Sequence, residues 1–139
     1  MARLIAIDYG LKRVGLAIAD PLKIIASPYQ TVSTPELEDF LLSFDQKEVI
    51  EAFVVGMPKN LKNESTQATE MVENFVKQLK TTFPEIPVHL VDERFTSKMA
   101  VDAMIAGGAK KKDRRIKENV DKISAAIILQ SFLDFKVST

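Results

Sequence analysis

Carboxylates stand at element boundaries in this chain. Asp8 closes the apolar run Leu4-Ile5-Ala6-Ile7, two residues before Gly10. Asp92 and Glu93 close a second apolar run, Val88-His89-Leu90-Val91, and Asp121 opens the last helix-like stretch. Strand ends and helix starts are where α/β folds present functional groups. Acids converging there suit phosphodiester hydrolysis. The phosphate is already anionic, so the attacking hydroxide must be generated beside a negative centre. Two divalent ions roughly 4 Å apart activate that water and neutralise the leaving oxygen. The chain has no cysteine and a single histidine, His89. Thiolate sites are therefore excluded and a histidine-based zinc site is disfavoured. The remaining donors are oxygens, which point to Mg²⁺ or Mn²⁺ held by three or four of Asp8, Asp92, Glu93 and Asp121.

Each acid also has an ordinary reading. Asp8 before a glycine is common turn chemistry. Asp92 or Glu93 can pair with Arg94 at the surface, and Asp121 suits the positive end of a helix dipole. The small residues Ser124, Ala125 and Ala126 favour a functional Asp121, because they let the helix lie close to a sheet and bring Asp121 towards the strand ends. His89, mid-strand between apolar neighbours, reads as a core or sheet-face residue, and Met71, Met99 and Met104 as core.

The elements that must position these acids follow from periodicity. Leu4–Asp8 and Val14–Ala19 read as strands joined in a hairpin, and Tyr29–Val32 as a short third strand. Thr34-Pro35-Glu36 is a helix start: a capping hydroxyl, proline at the first position and an acid in the first turn. Leu37, Phe40, Leu41 and Phe44 then recur at helical spacing. Ala52–Met57 is a continuous apolar strand ended by Pro58. Ser65–Phe83 is the next helix, its stripe made of Ala68, Met71, Val72, Phe75 and Leu79. Val88–Val91 is the last strand. Thr96 or Ser97 caps a further helix ended by Gly107-Gly108, and a final helix covers about Asn119–Phe135. The order β-β-β-α-β-α-β-α-α predicts a single α/β domain over residues 1–139. It has a mixed five-stranded sheet that opens with an antiparallel hairpin meander and is flanked by helices, the element order of the RNase H-like fold.

Of the 139 residues, 46% are apolar, enough for a real core, and the net charge is zero. The charge is unevenly spread. Glu36, Glu38, Asp39, Asp45, Glu48 and Glu51 crowd one region; Lys110, Lys111, Lys112, Arg114, Arg115 and Lys117 crowd another. The basic run is either ordinary solvated surface or a grip on a phosphate backbone, and Lys12 and Arg13 in the first turn have the same two readings. No apolar run is long enough to cross a bilayer and no secretory signal is present, so a cytoplasmic protein with no membrane partner is expected.

Four blocks of the chain resemble the YqgF/RuvX family. Ile7-Asp8-Tyr9-Gly10-Leu11-Lys12-Arg13-Val14-Gly15 is similar to its opening D-x-G-x-x-x-x-G. Val54-Val55-Gly56-Met57-Pro58-Lys59-Asn60 resembles its G-x-P loop, Asp92-Glu93-Arg94-Phe95-Thr96-Ser97 its D-E-R block, and the segment Val120 to Gln130 its final helix. The blocks keep the family's order over nearly the whole chain. The resemblance implies an RNase H-like, divalent-metal nuclease that trims the precursor of 16S ribosomal RNA in ribosome biogenesis, or a Holliday junction resolvase in recombination. It assigns Asp8, Glu93 and Asp121 to catalysis and metal. It leaves nucleic-acid contacts to Lys12, Arg13, Arg94, Lys110, Lys111, Lys112, Arg114 and Arg115, and turn roles to Gly10, Gly15, Gly56 and Pro58. One departure is Lys62-Asn63-Glu64-Ser65, where relatives carry a glycine before Ser or Thr. Asn63 is the stand-in, because Asn tolerates the left-handed region.

Partners implied are structured RNA, branched DNA or a pre-ribosomal particle, with a monomer or homodimer as the working unit. Two other classes compete. A non-catalytic nucleic-acid-binding module would lack the acids, and all are present here. A nucleotide-binding domain of the actin-like type needs two lobes, and this chain is too short for both.

Overall fold

The structure, a computed structural model, describes residues 3–58, 67–92 and 117–138; in the last helix, side chains are described for 122–134. The strands are β1 (Arg3–Tyr9), β2 (Arg13–Ala19), β3 (Ala26–Ser33), β4 (Ile50–Met57) and β5 (Val88–Asp92). The helices are α1 (Leu37–Lys47), which follows a 3₁₀ turn at Thr34–Glu36, α2 (Gln67–Thr82) and α3 (Lys117–Ser138). The strands form one sheet in the order β3-β2-β1-β4-β5. β1, β2 and β3 pair antiparallel, while β4 and β5 join β1 in parallel. The expected mixed sheet and opening meander are both present. The helix expected at Thr96 or Ser97, the basic run from Lys110 and the Lys62–Ser65 departure lie outside the described residues.

Three boundaries differ from the sequence reading. β3 starts at Ala26 rather than Tyr29, because Ala26 and Ser27 still pair with Ala19 and Ile18. Pro28 is tolerated there because β3 is an edge strand and the register shifts beside it, between Leu16 and Ala17. Thr34 does not cap α1: its hydroxyl donates to the Gly10 carbonyl at 2.7 Å. On α2, Ala68 is exposed and Thr69 is buried in its stead, its hydroxyl bonded to the Pro58 carbonyl. The buried stripe is Thr69, Val72, Phe75, Val76 and Leu79.

The sheet separates two cores. Odd-numbered positions of β1 (Ile5, Ile7) meet α1 and α2 through a cluster that includes Phe44, Phe53, Phe75 and Phe83. Even-numbered positions (Leu4, Ala6) meet α3 through Ala125, Ile128, Leu129 and Leu133. Tyr9 stacks on Phe75 with ring centroids 4.2 Å apart, and Phe53 tilts against Phe83 at 5.3 Å. The fully buried Phe53 contributes about 2–3 kcal/mol by removal of apolar surface from water.

The β2–β3 loop is organised by one carboxylate. Asp20 accepts from the Leu22, Ile24 and Ile25 N–H groups. These bonds, Ile25's foremost, hold its carboxyl below the ordinary 3.8. Lys23 takes a left-handed φ of 59° and its ammonium meets both oxygens of Glu51 at 2.5 and 2.7 Å. Gln130 of α3 accepts from the Ala26 N–H at 2.9 Å and donates to the Ile24 carbonyl at 3.0 Å, tying α3 to this end of the sheet. No described helix is long and apolar enough to cross a membrane.

Candidate active site

The carboxyl ends of β1, β4 and β5 form one edge of the sheet. Asp8 stands there, half-buried. Strand alternation gives it the face of Leu4 and Ala6, the face that α3 covers. Its cross-strand partner on β2 is Gly15. On the β4 side, one step beyond the Ile7–Val55 pair is Gly56. Gly15 and Gly56 therefore lie inside strands, not in turns, which corrects the turn role assigned to both. Glycine at both flanking positions keeps side-chain bulk from the neighbouring strands away from the Asp8 position.

Gly10 lies between β1 and β2, and Pro58 directly follows β4. A Cβ at Gly10 would fall 2.5 Å from the Arg13 carbonyl oxygen, so the turn between β1 and β2 closes only with glycine. The Pro58 carbonyl anchors Thr69. The turn that carries Lys12 is fastened to the start of α1, since the Thr34 N–H donates to the Lys12 carbonyl at 3.1 Å and the Thr34 hydroxyl to Gly10. Lys12 therefore stands on a tied turn at the edge where Asp8 lies, and Arg13 opens β2 beside it, paired with Ser33.

Asp121 occupies the first turns of α3, four residues before Ala125. Gln130 fixes α3 beside Ala26, the partner of Ala19. From Gln130 back to Asp121 the helix rises about 13 Å, so Asp121 lies about that distance along α3 from the Ala26 anchor. The small-residue expectation holds: Ser124 and Ala125 are 1% and 0% exposed, which is what lets α3 lie against the sheet.

Asp92 ends β5, exposed, and pairs in register with Met57. Met57 belongs to the α1–α2 core, so Asp92 holds a position on the face opposite Asp8. Glu93, Arg94, Lys110, Lys111, Lys112, Arg114 and Arg115 lie outside the described residues, as does the Asp121 side chain. Among the described residues, no three His, Cys, Asp or Glu side chains gather into a metal cluster. His89 is exposed on β5, its ring 4.9 Å from Phe132. It is a sheet-face residue and not a core one, because β5 is an edge strand. The flanking glycines are the site feature least visible in the sequence. Their signal is that both fall within strand-like runs, where glycine weakens pairing unless something must come close.

Comparison with known proteins agrees with this architecture. The family model described as "RuvX: Holliday junction resolvase" matches residues 2–135. A protein of Amoebophilus asiaticus named "Putative pre-16S rRNA nuclease" is 52% identical over 133 residues, covering 96% of this chain and 94% of its own length. One of the same name from Phocaeicola vulgatus is 51% identical, with 98% of each chain covered. Among solved structures, the Fowlpox virus resolvase bound to Holliday junction DNA aligns at a TM-score of 0.63 and 12% identity, covering 97% of this chain and 99% of its own. RuvC of T. thermophilus with a Holliday junction aligns at 0.60 and 18%, covering 100% and 98%. These likenesses establish an RNase H-like fold of the resolvase type. The chain belongs to the RuvX family.

Proposed function

We propose that this nuclease cuts structured RNA, namely the precursor of 16S rRNA near its 5′ end, at the sheet edge where Asp8 stands. The observation that carries the reading is Asp8 itself: a half-buried carboxylate at the carboxyl end of β1, on the α3 face and flanked by Gly15 and the Gly56 position. The donor chemistry fits a hard divalent ion, Mg²⁺ or Mn²⁺, since the chain offers carboxylate oxygens and no thiolate. Asp8, Glu93 and Asp121 would hold it. When bound, the ion lowers the pKa of a water and offsets charge on the leaving oxygen. Asp92 takes the face of Met57, opposite Asp8, and Glu93 is therefore the preferred acid of its block.

The chain's own groups do the rest. The glycine-flanked edge admits the phosphate beside Asp8. Lys12, on its tied turn, and Arg13 beside it hold the strand by sequence-independent contacts, joined by Arg94, Lys110, Lys111, Lys112, Arg114 and Arg115. One such domain over residues 1–139, working as a monomer in the cytoplasm on a pre-ribosomal particle, satisfies this chemistry. The names of the relatives support the RNA substrate. A second reading, cleavage of branched DNA by a two-fold dimer, is favoured by the family description and by the junction-bound resolvases of similar fold.

Cleavage of precursor 16S rRNA and of a four-way DNA junction, side by side with Mg²⁺ or Mn²⁺, separates the two. The first reading expects RNA cut by the wild type, with the Asp8→Asn protein slower by about a hundredfold or more at an unchanged melting temperature. Symmetric paired cuts in the junction would replace it with the second. Equal rates for wild type and Asp8→Asn would remove Asp8 from the mechanism.

A further inference from the structure

A groove of about 330 Å³ opens on the opposite face of the sheet from Asp8, between α1 and α2. It begins at Tyr9, the residue that follows Asp8, so the two lie on either side of the same strand end. Tyr9 and Phe75, stacked nearly parallel at 15°, form one wall. Leu11, 79% exposed on the basic turn, overhangs the mouth. The deep part is aliphatic and aromatic. The rim is polar: Glu38 of α1 and Gln78 and Thr82 of α2, with the Thr82 hydroxyl 3.3 Å from the Glu38 carboxylate. Lys12 and Arg13 line an adjoining pocket that shares Leu11 with the groove; with the flat apolar wall and the Glu38 acceptor they make a surface complementary to a nucleotide. The backbone phosphate would meet Lys12 or Arg13, the base would enter the groove, and its amino edge would reach Glu38.

We infer that this groove is a base-binding subsite, taking one unstacked nucleobase of the RNA strand next to the scissile nucleotide. The inference rests on the RNA-nuclease reading and deepens it. Unstacked bases are the part of an RNA that proteins read, by apolar or aromatic contact and by hydrogen bonds to the base edge. A carboxylate at the rim selects a donor edge. Guanine fits best, since its N1–H and N2–H present two donors side by side.

The test is binding of twelve-residue oligouridylates carrying one central guanosine, inosine or adenosine, measured without divalent metal so that nothing is cut. The expected result is about tenfold tighter binding of the guanosine strand than of the inosine strand. That preference should vanish in Glu38→Gln and shrink in Leu11→Ala, with melting temperatures unchanged because both side chains are exposed. Lys12→Ala should weaken all three strands alike. A guanosine preference that survives Glu38→Gln, or no preference in the wild type, overturns the subsite. If precursor RNA is still cleaved, the nuclease reading stands without it. Tighter binding of free guanosine monophosphate than of the guanosine strand would make the groove a free-nucleotide site and also overturns the proposal. Failure to bind any strand or to cut precursor RNA removes the RNA reading, and the subsite with it.

Discussion

The strands turn mostly bulky side chains towards α1 and α2 and mostly alanines towards α3. Under α1 and α2 the core includes Phe44, Phe53, Phe75 and Phe83. Under α3 it includes Ala6, Ala17, Ala19, Ala52 and Ala125. The same strands supply both faces by alternation, so the difference lies in what each face must do. Bulky residues remove more apolar surface from water per position and hold helices farther from the sheet. Alanines remove less but allow close approach of a helix. On the proposed reading, one face serves mainly stability and the other positions the reactive edge at Asp8.

The largest effect is expected from Phe53→Ala. Phe53 is fully buried and packs on Phe83, so its removal should destabilise the fold by about 3–5 kcal/mol in denaturant titrations. Activity at low temperature should persist, because the cavity lies on the side away from Asp8. Loss of activity in the still-folded variant would break the division between the faces.

Gly15→Ala makes the reverse demand. It puts a methyl on the α3 face beside Asp8. Cleavage should drop about tenfold or more through misplacement of the phosphate, while the melting temperature changes little. An unchanged rate would mean that the Gly15 side of Asp8 is not where substrate sits.

Ser124→Ala sharpens the account of the α3 interface. The Ser124 hydroxyl is buried with no hydrogen-bond partner among the described residues. Replacing it should raise stability by about 1 kcal/mol. A fall would show that the hydroxyl is satisfied within the folded protein.

Asp20→Asn should have the smallest effect, and only a pH-dependent one. Hydrogen bonds, chiefly from Ile25, lower the Asp20 pKa from 3.8. A depressed carboxyl contributes stability that is present above its unfolded pKa and lost as pH falls through the folded one. The gap between wild type and Asp20→Asn in melting experiments should therefore be largest near neutral pH and shrink below about 3.8. A gap independent of pH would contradict this.

Much of the fold was legible because local pattern and tertiary role coincide. The apolar runs Leu4–Ile7 and Ala52–Met57 mark strands whatever surrounds them, and Pro58 stops a strand by its own covalent geometry. Where a single side chain chose between partners, local rules failed. Thr34 reads as a cap and bonds Gly10 instead; Ala68 reads as part of the buried stripe, and Thr69 takes that place, its hydroxyl bonded to the Pro58 carbonyl.

The sequence by itself determined the kinds of chemistry available: oxygen donors and no thiol, acids at strand ends, cations in a turn. Those are properties of composition and local periodicity. Only the tertiary structure decided which acids share a face. Register placed Gly15 opposite Asp8 and Asp92 opposite Met57. Anchorage of Gln130 at Ala26 set how far along the sheet α3 begins. Register and helix placement depend on contacts between residues distant in sequence, so no local pattern contains them.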